Sequence, residues 1–134
     1  MRRLPFFLLL IAAAACHSPT SPNDELVQLP HGRLAGTVMI GPNCPGPTTT
    51  APCPASPDAY KARKILVYNE AKTELLHTVD IDSQGAYFID LAPGKYTVDL
   101  RGAGIDRTGD LPQTVDIHAN AVVTLNVNID TGLR

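Results

Sequence analysis

Residues 82–98 read DSQGAYFIDLAPGKYTV and hold one short run of alternating apolar and polar side chains and the start of a second, each preceded by turn-forming residues. The first run covers residues 86–91 and follows Asp82-Ser83-Gln84-Gly85, and the second covers residues 95–101 and follows Ala92-Pro93-Gly94. Alternation with a period of two is typical of β-strands that have one face on a core and the other in water. The stretch therefore predicts two strands, and we expect both turns to close hairpins.

Alternation of the same kind continues on both sides of this stretch. It predicts five more strands, at residues 33–40, 63–69, 75–81, 113–118 and 122–129. In the last of these, Val123, Leu125, Val127 and Ile129 face one way and polar residues face the other. Seven short strands, turn signals at intervals of about ten residues and no helical periodicity predict an all-β fold, an antiparallel sandwich of two sheets.

Composition and charge limit the classes of protein to consider. The chain has 134 residues, of which 44% are hydrophobic and 5% aromatic, with no Trp. This is a globular composition with material for about one domain. The net charge of −2 and the pI near 6.0 supply no basic field for a polyanion. We therefore expect no nucleic-acid partner.

Residues 1–15 have the pattern of an export signal. Arg2 and Arg3 give a positive start, residues 4–11 are apolar, and residues 12–15 are all alanine. A segment this short is typical of a secretory signal peptide rather than of a membrane span. The alanines and the following Cys16 resemble the lipobox of bacterial lipoproteins. This resemblance implies cleavage before Cys16 and several acyl chains, such as palmitate, on that cysteine as a firm anchor. The alternative is ordinary cleavage that leaves Cys16 as a free thiol.

Prolines are concentrated early in the exported part of the chain. Nine of the twelve lie between Pro19 and Pro57. We therefore predict that residues 16–32 form a flexible tether and that one domain follows over residues 33–134. The proline-rich stretch after the first strand also holds Cys44 and Cys53. With Cys16 lipidated, these two remain, and we expect them to form a disulfide in an oxidising compartment. The alternative, a metal-binding pair, lacks the further ligands that zinc needs.

Three segments together resemble a known family of domains. Gly36-Thr37-Val38, residues 82–88 and residues 91–98 fit the pattern G-x-V, D-x-x-G-x-[FY] and L-x-P-G-x-Y-x-[VL]. This pattern is that of the carboxypeptidase regulatory-like domains, also called transthyretin-like or prealbumin-like. The resemblance covers most of residues 34–129 and implies a seven-stranded Greek-key β-sandwich. It implies structural or recognition roles, and it indicates a fold more than an activity.

Other residue patterns give weak support for catalysis or metal binding. Asp130-Thr131-Gly132 matches the aspartic protease triplet, but a protease needs a second such carboxylate and a cleft. Residues 80–85 resemble the start of a calcium loop, but Leu91 stands where a bidentate Glu belongs. The four histidines have no metal-ligand spacing, and no serine lies in a G-x-S-x-G turn. We therefore expect no enzyme activity, no cofactor and no metal site.

The sequence thus predicts a lipid-anchored protein of the cell envelope whose β-sandwich is a non-catalytic binding or structural module. In a Gram-negative cell it would lie at the outer membrane or the cell surface. The expected partners are the membrane, through Cys16, and an envelope protein or glycan. Two alternatives remain open, an accessory subunit of an envelope complex and a small hydrolase of the same fold.

Strand direction predicts which end of the sandwich meets a partner. If consecutive strands alternate in direction, the loops at residues 41–62, 82–85 and 102–112 all lie at the end away from the tether. Long loops on a rigid scaffold are common recognition sites. Between its glycines the last loop offers the charged residues Asp106, Arg107 and Asp110, which we expect to contact a ligand.

Overall fold

The computed structural model describes residues 29–44 and 53–133 of the chain. The predicted signal peptide, Cys16 and most of the predicted tether lie outside these residues. The described part forms eight strands and one short helix. These are β1 Gly32–Gly41, α1 Pro57–Lys61, β2 Lys64–Asn69, β3 Leu75–Asp80, β4 Ala86–Leu91, β5 Gly94–Arg101, β6 Gln113–Ile117, β7 Val122–Thr124 and β8 Val127–Asp130.

The strands form two sheets. In the first, β1 is central, with β4 antiparallel on one side and both β7 and β8 parallel on the other. In the second, the order is β3-β2-β5-β6 and every neighbouring pair is antiparallel. The predicted all-β fold of two sheets is confirmed. The prediction of purely antiparallel pairing is wrong, because β7 and β8 run in the same direction as β1.

One hydrophobic core lies between the sheets and takes side chains from both. The largest fully buried side chains in the described part are Leu34, Val38, Ile65, Val67, Val98, Ile117 and Val127. Tyr87 also enters this core, where its hydroxyl donates a hydrogen bond of 2.5 Å to the Leu125 carbonyl. Burial raises the pKa of Tyr87 to about 12, because the phenolate would lose its hydration.

The last predicted strand, residues 122–129, is divided into β7 and β8. Leu125 still donates its N–H to the Ala35 carbonyl at 2.9 Å. At the next residue the Asn126 side chain replaces the backbone and accepts from the Thr37 N–H at 3.0 Å. The ladder is therefore interrupted although the apolar alternation continues. The expected count of seven strands becomes eight for this reason, since alternation reports which side chains are buried and not where hydrogen bonds run.

The two turns expected to close hairpins instead connect the sheets. β3 pairs with β2, whereas β4 pairs with β1, so residues 82–85 cross from one sheet to the other. β5 also pairs with β2, so the chain crosses back after Leu91. The turn residues were correctly predicted, and Asp82 accepts from the N–H groups of Gln84 and Ala86 at 2.8 and 2.9 Å. The partner of each strand was wrong, because periodicity does not specify it.

Helix α1 was not predicted from the sequence. It begins after Ser56, whose hydroxyl accepts from the Ala59 N–H at 3.2 Å, and Pro57 occupies its first turn. Serine followed by proline is a helix-start signal that was present in the sequence. The helix has no buried residue of its own, but its Ala59 carbonyl holds the Arg63 side chain at 2.7 Å.

Candidate functional site

Contacts between loops bring several segments together at one end of the sandwich. Val38 of β1 donates its N–H to the Gly85 carbonyl at 2.7 Å. Arg63, just before β2, pairs with Asp106 in the long loop after β5. Arg107 in the same loop exchanges backbone hydrogen bonds of 2.9 and 2.8 Å with Asp130 at the end of β8. The grouping of loops expected from strand direction therefore agrees with these contacts.

An open groove of about 570 Å³ lies at this end. Its lining residues come from the ends of β1 and β8 and from the loop after β5. They are Met39, Ile40, Gly41, Arg107, Thr108, Gly109, Asn128, Ile129 and Asp130. We call this the Arg107 groove, and it is the candidate site because it includes one of the three residues predicted to bind a ligand.

Arg107 is the predicted residue that lines the groove. Its backbone is fixed by the bridge to Asp130, while its side chain is exposed and has no hydrogen-bond or ion-pair partner within residues 29–44 and 53–133. Arg33, by contrast, is paired with the Asp90 carboxylate at 2.7 and 2.9 Å, and Arg63 is paired with Asp106. The Arg107 backbone is therefore held in place, while its guanidinium remains available to a ligand.

Asp106 is buried and is bonded within the protein. Its two carboxylate oxygens accept from Arg63 at 2.6 and 2.8 Å, and one of them also accepts from the Ala103 N–H at 2.7 Å. The side chain is only 4% exposed. Burial alone would raise the pKa of Asp106, but the hydrogen bonds from Arg63 and Ala103 outweigh burial and hold that pKa below its ordinary value. Asp106 thus has a structural role that the sequence did not predict.

Asp110, the third predicted residue, fastens the loop to the sheet. Its carboxylate accepts from the Asn128 backbone N–H at 2.7 Å and from the Asn128 side-chain amide at 3.1 Å. Asn128 itself lines the groove. Asp106 and Asp110 therefore hold the loop in place before and after Arg107. The binding roles of all three residues stay predictions.

The predicted disulfide between Cys44 and Cys53 is present. It lies just beyond β1, and the Asn43 side chain donates to the Ile40 carbonyl at 2.7 Å and to the Cys53 carbonyl at 3.0 Å. These bonds attach the disulfide to the end of β1 that lines the groove. The expectation of a cross-link within this proline-rich segment is confirmed.

The other patterns noted in the sequence have structural contacts. Asp80 pairs with Lys64 at 2.6 Å, and the Asp82 carboxylate caps its own turn. The hydroxyl of Thr131 donates to the Pro42 carbonyl at 2.5 Å, which ties the protease-like triplet to the end of β1. Within the described ranges no three His, Cys, Asp or Glu side chains are grouped to hold a metal ion. No helix in that part of the chain is long and apolar enough to cross a membrane.

Several solved structures align with part of this one. A minor pilin of the gram-positive pathogen Streptococcus agalactiae aligns with a TM-score of 0.52 at 14% identity, over 76% of this chain and 45% of the pilin. DUF3823 family proteins from Bacteroides ovatus and Parabacteroides merdae align with TM-scores of 0.47 and 0.45, at 14% and 16% identity. They match over 73% and 75% of this chain and over 44% and 46% of their own lengths.

The chain spans less than half the length of each of these three structures. The sequence matches no protein-family model and no curated protein. At such low identity the alignment with the pilin shows a common β-sandwich fold and nothing further.

Proposed function

We propose that this chain is an exported protein of the cell envelope, anchored by acyl chains on Cys16, whose β-sandwich is a non-catalytic binding or structural module. The observation that carries the proposal is the Cys44–Cys53 disulfide, because structural disulfides persist in oxidising compartments outside the cytoplasm. The basic, apolar and small-residue pattern of residues 1–15 supports the same compartment independently.

We assign the module to the carboxypeptidase regulatory-like group of Greek-key sandwiches. The assignment is supported by the three sequence segments that resemble this group and by the two-sheet fold that contains them. One protein with this fold is a minor pilin, which is consistent with a structural role at the cell surface.

A non-catalytic role is supported by the contacts of two hydroxyl groups at this end of the sandwich, one of which belongs to the groove residue Thr108. A hydrolase needs a nucleophile within hydrogen-bonding reach of a base. Thr108 instead accepts from the Asp110 N–H at 3.1 Å, and Thr131 donates to a backbone carbonyl. Thr108 thus bonds within its own loop and Thr131 bonds to the segment after β1, so the small-hydrolase alternative gains nothing from this site.

The accessory-subunit alternative has one observation in its favour. The outer face of the first sheet carries large apolar side chains that are well exposed, namely Met39 at 66%, Phe88 at 62% and Val122 at 65%. Exposed apolar side chains on one face are a feature of protein contact surfaces. A subunit that docks through this face would still be an envelope protein. The accessory subunit and the free-standing module therefore differ in their binding partner and not in their location.

The orientation of the module follows from the anchor. The tether joins β1 at Gly32, and β1 runs to Gly41 at the groove, about 30 Å away at the usual rise of a strand. A chain anchored at Cys16 therefore presents the Arg107 groove on the side of the domain opposite its attachment.

Membrane fractionation of Cys16→Ser tests the proposal. We expect the wild-type protein to remain with membranes after a high-salt wash and the variant to be released, because the acyl chains have lost their attachment residue. The Cys44→Ser/Cys53→Ser double variant is the matched control and should stay in the membrane fraction. Retention of Cys16→Ser after the wash would refute the lipid anchor.

A further inference from the structure

Three consecutive residues on one wall of the Arg107 groove carry hydrogen-bond donors without acceptors in the described part of the chain. The Arg107 guanidinium has no partner there, and neither the Thr108 N–H nor the Gly109 N–H donates to a described group. The Thr108 hydroxyl is the acceptor in its bond with the Asp110 N–H, so its own proton is also available. A guanidinium beside successive backbone N–H groups is a suitable site for a carboxylate.

This donor segment is held rigidly before any ligand arrives. The Arg107 backbone makes two hydrogen bonds to Asp130, the preceding Asp106 is locked by Arg63, and the following Asp110 is bonded to Asn128. Binding therefore costs little ordering of the loop, which favours affinity for a small charged group.

The rest of the groove suits a short extended segment of chain. Met39 is 66% exposed, and its flexible thioether side chain can pack against varied apolar groups. A Cβ atom added at Gly41 or Gly109 would meet nothing within 4 Å, so both positions leave the groove open. None of the nine lining residues is aromatic, so these residues offer no ring for a sugar to stack on, which favours a peptide over a glycan.

Asp130 lines the same groove, and one of its carboxylate oxygens accepts from the Gly132 N–H at 2.8 Å. Because the groove wall already includes this acidic side chain, we consider a ligand with a single carboxylate.

We propose that the Arg107 groove captures the carboxylate of a peptide, with the Arg107 guanidinium as the main charged contact and Met39 against the neighbouring apolar groups. Capture of a carboxylate by backbone N–H groups is a recurring way to recognise peptides. The carboxylate belongs either to the chain terminus or to an Asp or Glu side chain. This inference rests on the proposed function, because it specifies the ligand class of the binding module.

A titration of the full lipidated chain, labelled with ¹⁵N and held in detergent micelles, tests the inference. The probes are acetyl-Ala-Ala-Ala with a free carboxylate, its C-terminal amide, and acetyl-Ala-Glu-Ala-amide. We expect saturable shifts of the Thr108 and Gly109 amide resonances with the first probe, the third probe or both, and none with the plain amide. Which of the two carboxylate probes binds more tightly identifies the source of the carboxylate. Shifts of equal size with the plain amide, or no shifts with any probe, would overturn the inference.

Matched variants separate the groove from general charge. Arg107→Ala should weaken binding about tenfold or more, the usual loss for a hydrogen-bonded charged contact. Arg101→Ala removes the same charge from an exposed residue at the end of β5 that does not line the groove, and it should leave affinity unchanged. Equal weakening by the two arginine variants would contradict the proposal.

The outcome is independent of the anchor test. A protein that stays in membranes through Cys16 but binds neither carboxylate probe would refute the groove as a carboxylate site and leave the envelope assignment intact. A protein that binds but is released from membranes would do the reverse.

Discussion

Arg63 and Asp106 form the most deeply buried ion pair in the described part of the chain, with side chains 9% and 4% exposed. Removing one partner of such a pair leaves the other charge buried without compensation, which usually costs more than the pair contributes. We therefore predict that Asp106→Ala lowers the free energy of unfolding by about 3 to 5 kcal/mol. Urea denaturation followed by circular dichroism measures this difference.

Asp58→Ala is the control for that measurement. Asp58 pairs with Lys61 at 3.5 Å on the surface of α1, where its side chain is 90% exposed. Surface pairs of this kind contribute little, so the control should lie close to the wild-type stability. A loss for Asp106→Ala no greater than that for Asp58→Ala would show that the buried pair does not hold the loop.

The same pair makes the free energy of unfolding depend on pH in the acid range. Because the folded-state pKa of Asp106 is lowered, its contribution is fully present above the unfolded value, near pH 4, and is lost as pH falls through the folded pKa. The difference in unfolding free energy between wild type and Asp106→Asn should be constant from about pH 5 to 7 and shrink below pH 4. A difference that does not change with pH in this range would contradict the ionised pair.

Tyr87 makes the free energy of unfolding depend on pH in the alkaline range. Its raised pKa, about 12, means that the folded state keeps a proton that the unfolded chain loses above pH 10. The contribution of the protonated Tyr87 to stability is therefore fully present below pH 10. It declines above pH 10, by about 1 kcal/mol at pH 11. Tyr87→Phe should lack this extra decline, and Tyr68→Phe, on the other sheet, should keep it. Parallel declines in both variants would rule out Tyr87 as its origin.

The sequence shows that charged residues occupy the loop after β5, but it does not show which of them turns inward. Asp106 and Arg107 are adjacent in the chain, yet one is buried against Arg63 and the other lines the groove. The partner of Asp106 lies 43 positions away, and no local pattern indicates which of two neighbouring charges will turn inward. The availability of Arg107 is therefore known only from the structure.

Among the elements, β1 passes very close to the break that separates β7 from β8. This close contact explains why the G-x-V segment has a glycine, Gly36. A Cβ atom at Gly36 would lie 1.9 Å from the Leu125 carbonyl oxygen and 2.7 Å from its carbon. Because these are backbone atoms, they cannot move aside without disturbing the ladder and the bond from Tyr87. Gly36→Ala should lower the free energy of unfolding by about 3 kcal/mol or more.

Gly41→Ala serves as the control at the other end of the same strand. A Cβ atom there would have nothing within 4 Å. Its effect on thermal unfolding should be small, within about 0.5 kcal/mol. Equal effects of the two substitutions would mean that close approach at Gly36 is not what requires glycine.

The disulfide is a second local constraint. It closes a loop of nine positions and should contribute about 2 to 3 kcal/mol by restricting the unfolded chain. We expect the Cys44→Ala/Cys53→Ala double variant to unfold at lower urea concentration by that amount. In freshly isolated wild-type protein neither cysteine should react with an alkylating reagent until a reductant is added. Labelling of both without reductant would contradict the disulfide.

Strand positions were predictable to within a few residues, whereas strand partners were not. The strand at residues 86–91 was predicted with the bounds that β4 has. Its expected hairpin partners were wrong, because both adjacent turns cross between the sheets. The alternating burial that identifies a strand is the same for either sheet, so the choice depends on long-range packing that the local pattern does not contain.

For the whole molecule, composition and alternation were enough to predict a two-sheet all-β fold. The groove was not predictable, because it forms only when Arg107 pairs with Asp130 and the ends of β1 and β8 lie side by side. The proposed location depends on other evidence, namely the pattern of residues 1–16 and the disulfide. A direct chemical measurement on the N-terminus therefore tests this location best.

That measurement is the mass of the N-terminal peptide of the protein extracted from its own membranes. We predict that the chain begins at Cys16 and that this peptide carries the added mass of several acyl chains, which hydroxylamine removes only where they are held as esters or thioesters. A chain that begins at another residue, or an N-terminal Cys16 with no added mass, would contradict the account of a lipid-anchored envelope protein.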